Sequence, residues 1–129
     1  MKTLSLSILP NQYGICHVPL EESLPELPKE ACFWSITHTE GGLSIVLPEK
    51  NIPAHWKVET GWRCLKINGC LDFELTGILA SLAVPLANAG ISIFAISAYE
   101  TDYILIKESN LERAKQALEV DGHFVEGCI

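Results

Sequence analysis

The sequence predicts an α+β protein in which two helices cover one face of an antiparallel sheet. Two observations carry this prediction. The second half of the chain contains a strand, a helix, two strands joined by a short loop, a second helix and a last strand, in that order. The spacing of its apolar residues changes with the predicted element. These residues recur every three or four positions in the helices, and they run continuously or alternate with polar residues in the strands.

The first predicted helix begins near Ile78. Thr76 stands before it, where its hydroxyl can cap the free amides of the first turn, and Gly90 follows as a left-handed stop. The predicted inward face repeats at three and four residues: Ile78, Leu79, Leu82, Ala83 and Leu86. Because Pro85 has no N–H, we expect it to free the carbonyl of Ser81 and to kink the helix.

The remaining elements of this half follow from local signals. Residues 91–96 form a largely buried strand, residues 98–102 a hairpin loop and residues 103–107 the returning strand. Ser109 stands three residues before Glu112, which predicts a capping box for a helix with one apolar face: Leu111, Ala114 and Leu118. Residues 121–122 end this helix and residues 123–126 form an edge strand. With the first strand at 64–71, the order is the split β-α-β pattern of ferredoxin-like folds.

The first half of the chain predicts strands at residues 4–9, 13–18, 33–37 and 43–47, with Glu40-Gly41-Gly42 turning the last pair into a hairpin. Three prolines in residues 19–29 leave room for at most one helical turn. Two prolines and a glycine make residues 48–61 the best boundary segment. We therefore divide the chain into halves at residues 1–57 and 58–129.

Composition narrows the class of protein. The chain has 129 residues, 48% of them hydrophobic and 19% charged, which predicts a soluble globular protein of one unit or two small halves. Nine basic against sixteen acidic residues give a net charge of −7, which argues against nucleic acid as a partner. No apolar run approaches the roughly 20 residues that span a bilayer. We expect a cytoplasmic protein with no membrane partner and with its five cysteines reduced.

Several segments carry a resemblance to a known family: Gly61-Trp62-Arg63-Cys64-Leu65, Leu71-Asp72-Phe73, Thr76-Gly77-Ile78-Leu79, residues 89–97 and residues 101–105. Together they resemble the ACT domain family, and within it the small stand-alone double-ACT proteins related to CASTOR-type arginine sensors and to the regulatory domains of aspartate kinase. The resemblance implies two ACT-like halves, each related to the ferredoxin-like βαββαβ unit. The first half is then a degenerate ACT unit and the second an ACT domain.

The resemblance also implies where a ligand would bind, because ACT domains bind small amino acids at an interface between two units. The corresponding positions of this chain are Asp72, Thr76, Gly77, Ile78, Ile96 and Ser97. Physical chemistry agrees at the helix start, where exposed amides attract a carboxylate and a glycine lets the ligand approach the backbone. Asp72, two residues before Glu74, is the candidate partner for a ligand ammonium group.

Each of these residues also has a purely structural interpretation. Thr76-Gly77 is equally typical of a plain cap and turn, Asp72 of a solvated loop charge, and Ser97 of a strand end bonded to its own backbone. Core packing is the favoured interpretation of Ile96. A tryptophan at position 34 could form an opposing wall, although strand tryptophans more often pack in a core.

The sequence contains no pattern typical of an enzyme. Its four histidines lie in different segments without metal-ligand spacing, and neither a Gly-x-Ser-x-Gly elbow nor a phosphate-binding loop is present. Cys16 and His17 are adjacent in a predicted strand, so they point to opposite faces. We expect no catalytic residue, metal or cofactor. The predicted function is a non-catalytic, homodimeric regulatory protein that binds an amino acid and acts on an enzyme or protein partner; the alternative is a protein–protein interaction module of ACT fold without a ligand.

Overall fold

The computed structural model describes residues 3–69 and 76–127. Within these residues the strands are β1 Ser5–Val18, β2 Ser35–Thr39, β3 Gly42–Pro48, β4 Lys57–Ile67, β5 Phe94–Ser97, β6 Asp102–Lys107 and β7 Phe124–Glu126. The helices are α1 Ile78–Asn88 and α2 Leu111–Val120, and short 3-10 turns occupy Glu49–Asn51 and Glu108–Asn110. The chain forms two compact units: a strand unit, residues 11–62, and a helical unit, comprising the described residues of 1–10 and 63–129.

The helical unit contains the element order that the sequence predicts, with β4, α1, β5, β6, α2 and β7 following one another. β4 lies between β1 and β6, and β5 pairs with β6 in antiparallel register, Ile96 opposite Tyr103. β7 pairs in parallel with the start of β1, Ser5 opposite Phe124. This parallel pair is absent from the sequence prediction because residues 4–9 were assigned to the first half. The division at residue 57 itself stays a prediction.

One hydrophobic core holds the helical unit together. The helices contribute the apolar faces that their sequence spacing predicts: Ile78, Leu82 and Leu86 from α1, and Leu111, Ala114 and Leu118 from α2. The start of β1 adds Leu4, Leu6 and Ile8 to the same core. Each buried side chain of this size stabilises the fold by about 1.5–3 kcal/mol. Within residues 3–69 and 76–127, no helix has the length and apolar character needed to cross a membrane.

His123 forms a hydrogen bond with the Ser81 carbonyl that Pro85 leaves free. Pro85 lies inside α1, as predicted, so the carbonyl of Ser81 has no donor four residues on. The Nε2 atom of His123 lies 3.1 Å from that oxygen, and the backbone N–H of Leu4 donates to Nδ1 over 3.0 Å. Because a backbone N–H only donates, Nδ1 carries no proton and the N–H of the ring is on Nε2. His123 is 4% exposed, so a neutral imidazole joins β1, α1 and the start of β7 inside the unit.

Both predicted N-terminal caps are wrong. α1 takes Gly77 as its N-cap instead of Thr76, with φ 75°, because a left-handed residue at this position turns the chain into the helix. α2 takes Asn110 without a side-chain capping bond. The predicted capping box of Ser109 and Glu112 does not form, because residues 108–110 make a 3-10 turn that leads directly into the helix. The stop at Gly90 is confirmed by its φ of 74°.

Two strand predictions are also corrected. Residues 4–9 and 13–18 belong to one continuous strand, β1, which passes through the exposed Pro10 instead of ending there. Proline is compatible with a strand where its missing N–H is not needed by a neighbour. β5 is shorter than predicted and begins at Phe94, with half-buried and exposed residues in alternation. Ile91 is 5% exposed but precedes the strand, so its burial does not mark strand structure.

The strand unit, all of whose residues are described, has no α-helix. β3 pairs in antiparallel register with both β1 and β2, and Thr39 opposite Gly42 closes the predicted hairpin. Its core combines strand residues with a buried tryptophan from the segment before β4: Cys16, Val18, Ile45, Leu47 and Trp56. The residues between β1 and β2, where a βαββαβ unit would carry its first helix, contain turns and extended segments only. The assignment of residues 1–57 as a degenerate ACT-like half stays a prediction.

Candidate functional site

The residue at the N-cap of α1 is Gly77, so the backbone at the start of this helix carries no side chain. Gly77 adopts φ 75° and ψ 2°, and its carbonyl accepts the first helical hydrogen bond from the Ser81 N–H at 2.9 Å. A Cβ built on Gly77 would meet no atom within 4 Å, so the residue is required by the backbone angle rather than by lack of space. Thr76 and Gly77 are exposed. Free amides of a first helical turn carry partial positive charge and suit a carboxylate.

Ile78 has a different role. Its side chain is 8% exposed and belongs to the core of the helical unit. The group of Ile78 that the predicted site would use is its backbone N–H, in the first turn of α1. Asp72 and Glu74 lie outside the described residues.

Ile96 and Ser97 end β5, the strand at the edge of the sheet in the helical unit. Ser97 is exposed and stands opposite Asp102, while Ile96 is half-buried, which favours its packing role. The loop between the strands is closed by the Ala98 N–H, which donates to the carbonyl of Thr101 at 2.9 Å. No hydrogen bond joins this group to Thr76 or Gly77 within the described part of the chain.

Thr101 is a residue that the sequence prediction placed only in the loop. Its side chain is buried, 2% exposed, and its hydroxyl donates to the carbonyl of Ile67 at 2.8 Å. The bond ties the β5–β6 loop to the end of β4. A threonine two residues before the continuous apolar run 103–106 was the available signal for a buried hydroxyl at this strand start.

A second feature lies in the strand unit, where a cleft of about 690 Å³ opens beside residues 26–31 and 50–51. It is bordered by charged and amide side chains: Asn11, Glu26, Lys29, Glu30, Lys50 and Asn51. The sequence did not indicate this cleft, because its two walls are about 20 residues apart in the chain and residues 19–34 follow no periodic pattern.

The loop of residues 19–34, which contributes one wall of the cleft, is fixed by side-chain hydrogen bonds at two points. Glu22 accepts hydrogen bonds from His55 at 3.0 Å and Trp56 at 3.5 Å, and the His55 bond is the largest of the causes that lower the pKa of Glu22. The contribution of this carboxylate to stability is therefore present at neutral pH and lost on acidification through its lowered pKa. Farther along, the indole N–H of Trp34 donates to the carbonyl of Pro28 at 3.1 Å. Trp34 is thus a half-buried packing residue of the strand unit.

The thiol and imidazole of Cys16 and His17 do not form a catalytic pair. Cys16 is 2% exposed in the core of the strand unit, whereas His17 is exposed and its Nε2 lies 2.9 Å from the carbonyl of Gly41. Burial raises the pKa of the Cys16 thiol from 9.0 to about 11, so the nucleophilic thiolate is disfavoured. Among residues 3–69 and 76–127, no three histidine, cysteine or acidic side chains cluster as metal ligands.

Thiol labelling checks this arrangement. In a variant with serine at positions 70 and 128, iodoacetamide at pH 8 should label Cys32, which is exposed, and spare Cys16 and Cys64, which are buried. Because the pKa of Cys16 is raised in the folded state, its neutral thiol contributes stability fully below pH 9.0, and that contribution is lost as the pH rises through about 11. Mass spectrometry of the native and urea-unfolded protein measures the sites. Rapid labelling of Cys16 in the native protein would contradict its burial.

In comparisons with known proteins, two different family models match the two parts of the chain. The model of the ACT domain family matches residues 57–120, and a second family model, of an N-terminal domain, matches residues 11–55. The human protein named cytosolic arginine sensor for mTORC1 subunit 1 is 32% identical over 105 residues, covering 75% of this chain. The match spans only 32% of the length of that relative.

Two solved structures resemble the fold. A crystal structure of a protein from Agobacterium tumefaciens is 35% identical and superposes with a TM-score of 0.90, covering 98% of this chain and 94% of that one. The aspartate kinase of Clostridium acetobutylicum superposes with a TM-score of 0.66 at 10% identity, covering 94% of this chain and 35% of the kinase. The second likeness is one of fold alone.

Proposed function

Because the chain belongs to the ACT domain family, we propose that it is a non-catalytic regulatory protein that binds a small ligand, an amino acid, at the start of α1. The ligand carboxylate would meet the first-turn amides of α1 beside Gly77. In a homodimer, an ACT unit of the second copy would complete the site. Regulation requires that the ligand bind two states of the protein unequally, so a regulated enzyme or protein partner belongs to the proposal.

The observation that carries this proposal is the left-handed Gly77 at the exposed N-cap of α1. As the N-cap, Gly77 has no side chain that could cap the helix. The helix is 11 residues long, enough to present a partial positive charge at its first turn. Thr76 and Ser97 would supply hydroxyl groups, and Asp72 a charge for the ligand ammonium.

Arginine is the first ligand to test. The human relative is named as an arginine sensor, and the net charge of −7 on this chain favours the approach of a cation. That relative is also named as cytosolic, which supports a cytoplasmic location for this protein.

Thermal unfolding with each of the twenty amino acids tests the proposal. A ligand at about 100 times its dissociation constant adds about 2.7 kcal/mol to the free energy of unfolding, which is a shift of about 5 °C or more for a chain of this size. We expect one or two amino acids to produce the shift and Gly77→Val to abolish it, because valine at φ 75° displaces the helix start.

Gly122→Val is the matched control for this experiment. Gly122 has φ 95°, lies in the same unit and has open space around its Cβ position, so the substitution imposes a similar backbone strain at the end of α2. Both variants should lose about 1–3 kcal/mol of stability, and only Gly77→Val should lose the response to ligand. The absence of any shift in the unmodified protein, or equal loss of response in both variants, would contradict the proposal.

Exposed apolar side chains favour the second candidate, a protein–protein interaction module without a ligand. Tyr99 is 82% exposed, Val120 is 90% exposed and Phe124 is 66% exposed, all in the helical unit. Aromatic residues of this kind are common in interfaces. This candidate predicts no thermal shift with any amino acid, and loss of a partner or of the dimer on Phe124→Ser, measured by sedimentation.

A further inference from the structure

The cleft of the strand unit contains charges of both signs that are not paired with each other. Lys29 and Lys50 border it together with Glu26 and Glu30. None of these four side chains makes an ion pair or hydrogen bond with another residue in the part of the chain that the structure describes. Two exposed lysines and two exposed glutamates therefore line one space of about 690 Å³. Ligand sites commonly enclose roughly 300–1,000 Å³.

Both walls of the cleft are held by hydrogen bonds. On one side, the Ala31 N–H donates to the carbonyl of Pro28 at 3.2 Å, which closes the turn that carries Lys29 and Glu30. The Trp34 indole donates to the same carbonyl at 3.1 Å and fixes this turn to the core. A site whose supporting turns are fixed before binding loses less entropy when a ligand arrives.

On the opposite wall, a 3-10 turn carries Lys50 and Asn51. The Ile52 N–H donates to the carbonyl of Glu49 at 3.2 Å, and the Glu49 carboxylate accepts from the Gly61 N–H at 2.6 Å. The carboxylate of Glu49 thereby stabilises the turn, whereas Lys50 is exposed.

Asn51 adds an unmet hydrogen-bonding group. Its Oδ1 atom is buried and has no hydrogen-bond partner among the described residues. A buried acceptor without a donor is unfavourable, so a ligand N–H that reaches it after a small shift of the side chain would be stabilised.

We propose that this cleft is a second ligand site, separate from the start of α1, and that it binds a zwitterion: a free amino acid or a short peptide. The lysines would hold the carboxylate of the ligand, and the glutamates, with the Asn51 oxygen, its ammonium group. The proposal does not depend on binding at α1. It adds a site within the unit that lacks helices.

Amide chemical shifts of ¹⁵N-labelled full-length protein locate binding directly. Arginine, glutamate and diglycine are titrated separately, so that free amino acids and peptides are distinguished. Agmatine, which lacks the carboxylate of arginine, and N-acetylarginine, which lacks its α-ammonium group, both keep the guanidinium charge. Diglycine amide and N-acetyldiglycine each remove one of the two charges of diglycine. We expect at least one zwitterion to shift amides at residues 26–31 and 50–52, and the arginine or diglycine analogues that lack the carboxylate or the α-ammonium group to bind roughly five- to thirtyfold more weakly than the parent compound.

Charge reversal provides the matched comparison. Lys50→Glu should weaken binding roughly five- to thirtyfold, whereas Lys57→Glu, an exposed lysine of the same unit outside the cleft, should leave it unchanged. Shifts confined to residues 76–80 would overturn the cleft site and support the site at α1. Shifts confined to the cleft would do the reverse. No shift with any of these compounds at millimolar concentration, or equal loss in both lysine variants, would overturn the cleft site.

Discussion

Replacing His123 with leucine should lower the free energy of unfolding by about 3 kcal/mol. The leucine fills similar space but leaves two buried groups without partners, the N–H of Leu4 and the carbonyl of Ser81. Each unmet buried group costs about 1–3 kcal/mol. Urea unfolding followed by tryptophan fluorescence measures the loss.

Pro85 supplies a test of the cause. With Pro85→Ala, the new N–H at position 85 can donate to the Ser81 carbonyl within α1. His123→Leu should then cost about 1–2 kcal/mol less than in the unmodified chain. A double-mutant cycle measures this difference. Equal costs in both backgrounds would show that the His123–Ser81 bond contributes nothing to stability.

Gly42→Ala should be similarly damaging, with a loss of about 3 kcal/mol or more. Gly42 has φ 130°, which side chains rarely adopt, and an added Cβ would lie 2.8 Å from the carbonyl oxygen of Val18 and 3.0 Å from Nε2 of His17. Backbone strain and overpacking each cost about 1–3 kcal/mol. Because Val18 is in β1, the clash acts on the central strand pair of the strand unit.

The neighbouring Gly41 is the control for this substitution. A Cβ at Gly41 would meet only the Thr39 Oγ1 atom, at 3.8 Å, and its φ is not positive. Gly41→Ala should therefore change the free energy of unfolding by less than about 0.5 kcal/mol. Equal effects of the two substitutions in urea unfolding would show that the β1 contact does not constrain the hairpin.

Local patterns predicted the helical unit well because its helices are amphipathic and its turns carry glycine. The buried faces of α1 and α2, the stop at Gly90 and the free carbonyl of Ser81 all followed from spacing and from the chemistry of proline. The partner of that carbonyl did not, since His123 is 42 residues away. The caps failed because Gly77 and the turn before α2 compete with side-chain capping, and spacing alone does not rank these alternatives.

The candidate site residues also differ in whether local sequence patterns could predict them. Gly77 was predicted because a glycine before an apolar helix lets a ligand approach the backbone; its φ of 75° is compatible with that role, which stays a prediction. Ile78 and Ile96 were predicted from family resemblance; Ile78 is buried in the core of the helical unit, whereas Ile96 is half-buried, and their ligand roles stay predictions. The cleft was missed because Lys29 and Lys50 come together only through tertiary structure. Exposed lysines and glutamates have no distinctive spacing that would mark such a site.

The pairing of β1 with β7 has a consequence for synthesis on the ribosome. Leu4 and His123, which are hydrogen-bonded, are separated by 119 residues. At about 5–20 residues per second, translation of that interval takes about 6–24 s. During this time the apolar side chains of Leu4, Leu6 and Ile8 have emerged while β7 does not yet exist. Completion of the helical unit therefore has to wait until β7 has been synthesised, and until then these side chains of β1 lack their parallel neighbour strand.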